Sequence, residues 1–422
     1  MPITIILLSL TAIFLSYSLW VLVTQSLFKS RLTYKEPKKL PPFSDFEARI
    51  KAEKSYAIKR KENFSEEDAV SYLGKQTIEE IIEGSCSFKI DPKNSTTPSL
   101  GFVFMHGINE AAGKMKPLAQ KIHEQYPESL MVGTTMPGHG GLPNQMLDVS
   151  YMDWVKMCSE TIDWMSDRVD QIILVGFSTG GSLATHHVVN HKHDKVKGMV
   201  LFAPATHIKL QYRPSKILKR IIDFPRIIKQ DNAYGYGTAA FNGIDQVVRL
   251  SDDIDKKKDI DIPVLCILSA SDEAIPVNNV KNYFVNNTNS DLSSVVLFDQ
   301  VPKNELNHKI ECIHNQGVLN NYRCFGVAHT ALVVPPDHKT LGFNKESFDK
   351  RLYHGIGFNP TNINHENIHY GPICASNAWA IFNKRFALGS FNPYFDQTYT
   401  KICQFVDNIQ SNPQSSMTSA TP

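Results

Sequence analysis

The stretch QIILVGFSTGG, residues 171–181, decides the fold. Ile172, Ile173, Leu174 and Val175 form a short apolar run that ends at Gly176, the pattern of a buried strand. TGGSLATHHVVN (179–190) follows at once and reads as a helix. Between them Gly176-Phe177-Ser178-Thr179-Gly180 fits Gly-x-Ser-x-Gly. A strand that turns directly into a helix strains the serine backbone, and side chains at the two glycine positions would clash. The turn lifts the hydroxyl to the C-terminal edge of the sheet, where ligands bind in open α/β folds. Ser178 is therefore expected to be a nucleophile.

The same grammar repeats outward from this turn. LGFVFMHG (100–107), SLMVGTTMPGHG (129–140), KGMVLFAPA (197–205), PVLCILSASD (263–272) and SSVVLFD (293–299) read as short strands, several ending in turn residues. Residues 111–126 and 152–169 carry helical periodicity. Short apolar strands alternating with helices predict an α/β fold, a mostly parallel sheet with helices on both faces. This α/β domain is expected over 86–410. Residues 206–260 interrupt the alternation and read as a cap over the C-terminal edge. Residues 336–410 read as an irregular extension, and the polar tail 411–422 as disordered.

Acyl transfer to a serine creates an oxyanion that backbone N–H groups stabilise. One donor is expected from Thr179, directly after the nucleophile. The other is expected from Ile108, in the loop that follows Met105-His106-Gly107. His106 itself reads as a residue that holds this loop.

Met105-His106-Gly107, Pro137-Gly138-His139-Gly140 and Gly176 to Gly181, with a Ser–acid–His order, resemble the α/β-hydrolase superfamily over about 100–335. The nearest likeness is to its monoacylglycerol-lipase and serine-aminopeptidase-like branch. The resemblance implies a catalytic acid after the next-to-last strand, which is Asp272; Asp299 is the rival, and Glu273 would point elsewhere. It implies a histidine in a small-residue–His–apolar context, which His329 in CFGVAHTALVVPP matches. His308 and His314 lie in a polar loop and read as surface residues. The 57 residues from Asp272 to His329 exceed the family's shorter spacing. His139 is implied to shape a loop, and His186, His187, His191 and His193 read as surface or helix-face residues. The implied activity is hydrolysis of carboxylic esters, lipid-like or medium-chain, through an acyl-enzyme. A peptidase, an amidase, an acyltransferase and a non-catalytic binding protein are the alternatives on the same scaffold. No metal or organic cofactor is implied.

Composition narrows the rest. With 44 basic and 42 acidic residues the net charge is +2, which gives no reason to expect nucleic acid as a partner. The seven cysteines include no CxxC pair, and Cys312, Cys324 and Cys374 could pair in an oxidising compartment. Residues 2–28 carry no charge, and a bilayer core needs about 20 apolar residues as helix, so this run is expected to be a single-pass anchor. Lys29, Arg31, Lys35, Lys38 and Lys39 follow it, which places the remainder on the cytoplasmic side. Residues 29–85 read as a juxtamembrane linker followed by a helix over 65–84 with Ser65 as its cap.

Overall fold

The computed structural model describes residues 11–12, 15–20, 22–23, 40–62, 76–191, 193–224, 232–237, 239–254, 256, 258–299, 307–343, 369–372 and 386–411. Its centre is an eight-stranded sheet of β1 (Phe88–Ile90), β2 (Leu100–Met105), β3 (Leu130–Thr134), β4 (Gln171–Phe177), β5 (Val196–Phe202), β6 (Val264–Ser269), β7 (Ser294–Phe298) and β8 (Ile310–Ile313). The spatial order is β1-β3-β2-β4-β5-β6-β7-β8. β1 runs antiparallel to β3, and every other neighbouring pair is parallel. β2, β3 and β6 are buried along their whole length. Strands buried on both faces read as continuous apolar runs, which is why these were legible.

Helices cover the sheet. In chain order they are α1 (Phe46–Glu62), α2 (Ile78–Ser85), α3 (Lys116–Gln125), α4 (Tyr151–Ser166), α5 (Thr179–Asn190), α6 (Phe241–Asp253), α7 (Val277–Asn287) and α8 (Phe395–Ser411). α5 starts from the turn at Ser178 and packs on β4. α4 begins with a capping box between Ser150 and Asp153, which satisfies two otherwise orphaned N–H groups. α8 lies against β5, where Ile409 and Phe405 fill the space beside Gly198.

The region between β5 and β6, expected as a cap, holds a short helical turn (Ser215–Leu218) and α6. α6 packs on α4 and α5. Residues 225–231 within this region lie outside the described residues, as does the tail from 412 onward.

α1 departs from the expectation of a linker through residue 62. Its inner face mixes Phe46, Tyr56 and Ala57 with three buried charged residues. Arg49 Nε donates to Glu53 Oε1 at 2.9 Å, and Arg49 also reaches the Thr135 carbonyl at 3.1 Å. Glu53 accepts from the Ser87 N–H at 2.6 Å and the Ser87 hydroxyl at 2.9 Å. Arg60 donates to the Gly235 carbonyl at 2.8 Å and to Ser85 Oγ at 3.2 Å. A helix that buries charges lacks the apolar stripe on which periodicity depends. The next helix also starts later than expected. It is capped by Thr77, whose hydroxyl accepts from the Glu80 N–H; Ser65 lies outside the described residues.

β8 explains the long interval before His329. β7 and β8 are parallel, so both end at the same edge of the sheet. The insertion therefore leaves that edge and returns to it, and the segment carrying His329 enters from the side the shorter spacing would give.

Among the described residues no helix is long and apolar enough to cross a membrane. Most of the apolar run at 2–28 lies outside them. The six described cysteines, Cys312 and Cys324 included, are all free thiols; Cys374 lies outside the described residues.

Removing one partner of a buried ion pair leaves the other charge uncompensated and costs about 3–5 kcal/mol. Glu53→Ala is expected to destabilise the fold by about that amount, read from the shift of the chemical denaturation midpoint. A change within about 0.5 kcal/mol, typical of a neutral surface site, would contradict this account of α1.

Candidate active site

Ser178 sits at φ 53° and ψ −113°, between the end of β4 and the first residue of α5. A non-glycine residue held there costs on the order of 1–3 kcal/mol and persists only where its surroundings over-determine it. Here they do. The Ser178 N–H donates to the Phe202 carbonyl at 2.8 Å, and its own carbonyl accepts from Ala205 at 3.0 Å and Ser182 at 3.1 Å. The glycines on either side permit the close approach. A Cβ on Gly180 would stand 2.1 Å from the Met105 carbonyl oxygen, and one on Gly176 would stand 2.6 Å from that of Gly180.

His329 follows β8, the last strand in the sheet order. Its Nε2 lies 2.9 Å from Ser178 Oγ, and its Nδ1 lies 2.6 Å from Asp272 Oδ2. All three side chains are buried. Asp272 follows β6, and its second oxygen accepts from the N–H groups of Ala274 at 2.8 Å and Ile275 at 3.1 Å. Those bonds fix the carboxylate before it meets the imidazole. A carboxylate can only accept, so Nδ1 carries the proton and Nε2 is left as the acceptor facing the serine.

Burial alone would favour the neutral form of both groups. Their mutual attraction and hydrogen bond outweigh it. Despite burial, the Asp272 carboxyl is held below its ordinary value by His329 and by the Ile275 and Ala274 N–H groups. His329, despite burial, is raised by Asp272 and further by the nearby carboxylates of Glu273 and Glu110.

Ile108 lies on the loop after β2, and Thr179 directly follows the serine. Thr179 is the first residue of α5, and an N–H at that position has no acceptor within the helix. Gly107, just before Ile108, packs so closely on the turn that a Cβ there would lie 3.2 Å from the Ser178 Cβ.

The remaining sequence candidates have other places. Asp299 does not reach His329's ring. It stands at φ 61° after β7, and its Oδ2 accepts from the Val327 N–H at 2.6 Å and from Ser269 Oγ at 3.3 Å. It thereby ties down the chain two residues before His329. Glu273 approaches the His329 backbone instead of pointing away, with its Oε2 3.4 Å from the N–H. His308 and His314 are exposed. His186 and His187 are buried, against expectation, and His186 Nε2 meets Asp253 at 3.0 Å.

His106 holds two loops together. Its Nε2 accepts from the Met136 N–H at 3.0 Å, so Nδ1 must donate to the Gly107 carbonyl at 2.8 Å. Burial, then the neighbouring His139, push it well below the usual histidine range. Burial also takes His139 down to about 4; its ring packs on His106 and Trp154. The buried pair Glu110–Lys114 gave no sequence signal. Lys114 also lies over the Phe177 ring, 5.4 Å from its centroid. Among the described residues no group of three or more His, Cys, Asp or Glu side chains is arranged to hold a metal ion.

The sheet order, the sharp turn at Ser178 and the loops bearing Asp272 and His329 define an α/β-hydrolase fold. Within that superfamily the chain resembles the monoacylglycerol-lipase and serine-aminopeptidase-like branch. Residues 97–227 match the family model described as serine aminopeptidase, S33. The thermostable monoacylglycerol lipase of Bacillus sp. (strain H-257) is 28% identical over 119 residues, 28% of this chain and 46% of the relative. The match thus spans about half the length of that curated relative. Similar solved structures include a monoacylglycerol lipase of Paleococcus ferrophilus, 16% identical with a TM-score of 0.38, covering 54% of this chain and 88% of that one. Another is Est1E from Butyrivibrio proteoclasticus with ferulic acid, 19% identical with a TM-score of 0.38, covering 54% of this chain and 84% of that one.

Because Asp272 is what raises His329, Asp272→Asn should lower the His329 pKa. NMR titration of the imidazole checks this. The wild-type ring is expected to titrate above the ordinary histidine value of about 6.5 and the variant ring below wild type. An unchanged titration would show that the 2.6 Å contact carries no charge coupling.

Proposed function

We propose that this chain is a serine hydrolase of carboxylic esters that works through a Ser178–His329–Asp272 relay and an acyl-enzyme. The observation that carries this reading is the unbroken hydrogen-bonded line from Ser178 Oγ through His329 to Asp272. Neutral His329 accepts the Ser178 proton as Oγ attacks the acyl carbonyl. Asp272 fixes the tautomer and stabilises the imidazolium that forms. The Ile108 and Thr179 N–H groups hold the oxyanion. The tetrahedral intermediate collapses, His329 protonates the leaving alkoxide, and the acyl group stays on Ser178. Water, deprotonated by the same imidazole, then releases the acid. The route needs no metal or organic cofactor.

Lipid-like acyl esters are the proposed substrates. The lipase relative named above supports that choice, as does the charge-free run at 2–28 followed by a basic flank, read as a membrane anchor with the catalytic body on the cytoplasmic side.

An ester panel of graded acyl length, run with wild type and Ser178→Ala, tests the proposal. Ser178→Ala is expected to keep the fold and lose roughly 10⁴-fold or more in kcat. The wild-type kcat/KM should rise with pH through the raised pKa of His329, because the protonated ring cannot act as base. Turnover of aminoacyl amides with a flat response across esters would overturn the ester reading. Acyl transfer to an added alcohol in place of hydrolysis would reassign it to an acyltransferase.

A further inference from the structure

Two consecutive acidic residues stand on the loop after β6, and both address the same histidine. Asp272 meets the ring of His329, with Oδ2 2.6 Å from Nδ1. Glu273 meets its backbone, with Oε2 3.4 Å from the N–H. That N–H lacks a local partner. His329 opens a single 3-10 turn, His329–Ala331, and the preceding Ala328 has no side chain to cap it. The first N–H groups of a helix find no acceptor within it. At 3.4 Å the contact is long for a hydrogen bond, so the Glu273 carboxylate acts on His329 chiefly as a charge.

The groups around this pair decide what that charge does. Lys209, reaching over from the chain after β5, is turned onto the Glu273 carbonyl, with Nζ at 2.6 Å. Its ammonium therefore serves the backbone of the acid loop. Glu110, on the loop after β2, is the other carboxylate that acts on His329, but it is matched by Lys114 in a buried pair. Lys114 lies over the Phe177 ring, which stands 5.1 Å from that of His329. The charge of Glu110 thus arrives with an opposite one beside it. Glu273 is half-buried next to Asp272. Burial first, and then the like charge of Asp272, hold its carboxyl above the ordinary value, against its own N–H and the pull of His329. Two carboxylates side by side are easier to keep ionised when a cation stands between them, and an imidazolium at His329 is that cation.

We propose that Glu273 is a positioning residue for the reaction: a second carboxylate behind His329 that favours the imidazolium formed when Ser178 gives up its proton and steadies the backbone from which the ring is presented. The inference rests on the Ser178–His329–Asp272 reading. As Oγ attacks, its proton moves to Nε2 and the positive charge appears on a ring addressed by Asp272 and Glu273 together. Glu273 itself takes no proton. The same charge also sets the working pH. A ring that is easier to protonate is a stronger base once neutral, but it becomes neutral only at higher pH. Glu273 therefore strengthens the base and moves its range upward. A side chain that merely filled space in the loop would do neither.

Glu273→Gln keeps the size of the side chain and an oxygen for the N–H but removes the charge. In the full chain, the acid limb of its kcat/KM profile on esters is expected at lower pH than in wild type. On the plateau kcat should fall about 3- to 10-fold with KM unchanged, far short of the roughly 10⁴-fold loss expected when the orienting carboxylate itself is replaced, as in Asp272→Asn. Glu273→Asp, which keeps the charge, should leave the limb near its wild-type position. Glu273→Ala repeats the charge test should the amide variant fail to fold. NMR titration of the His329 imidazole in the same variants reads the shift without substrate, and it too should move to lower pH when the charge is removed. An imidazole titration and an acid limb that both stay in place would overturn the proposal, and so would a loss of kcat with the limb unmoved, the mark of a purely structural residue. A shifted imidazole in a protein that turns over no ester would support the coupling and count against the ester-hydrolase reading alone.

Discussion

The site depends on one buried imidazole that uses both of its ring nitrogens. His329 faces Asp272 on one side and Ser178 on the other, across 57 and 151 residues of chain. Each partner arrives already fixed. Ser178 is held in a strained conformation by the Phe202, Ala205 and Ser182 contacts, and Asp272 is held by the N–H groups of its own loop. The imidazole thus adds to two preset groups, and little reorganisation would remain for the reaction proposed.

The sheet supplies that fixity. β4, β6 and β7 run parallel in one sheet and release their following residues at one edge, so Ser178, Asp272 and the chain toward His329 converge without any long excursion through the core. Asp299 is part of this support. Placed after β7, it accepts from Val327 and so anchors the backbone that carries His329. His106 does the same on the opposite side, linking the loops after β2 and β3 beside Ile108.

How much of this was legible in the sequence follows from what each residue does. The turn at Ser178 was readable because strand, turn and helix each leave a strong local mark there. Asp272 and His329 were readable by their loop context, and the geometry brings both to Ser178. β8 was missed because four half-buried or exposed residues at a sheet edge carry little apolar pattern. α1 was missed for the opposite reason: it is well buried, but Arg49, Glu53 and Arg60 share its inner face with Phe46, Tyr56 and Ala57 and break the apolar stripe. Glu110 and Lys114 pair inside the fold, and charge pairs formed by tertiary packing leave no periodic trace. The buried His186 and His187 were misread because flanking polar residues made the end of α5 look like surface.

The central claim is that Ser178 attacks and His329 must be neutral for it to do so. Mapping the site and rate of modification by a fluorophosphonate as a function of pH tests both halves at once. The account predicts a single adduct on the peptide containing Ser178, forming faster as pH rises through the His329 titration. An adduct on another serine, or a Ser178 adduct whose rate ignores that titration, would contradict it.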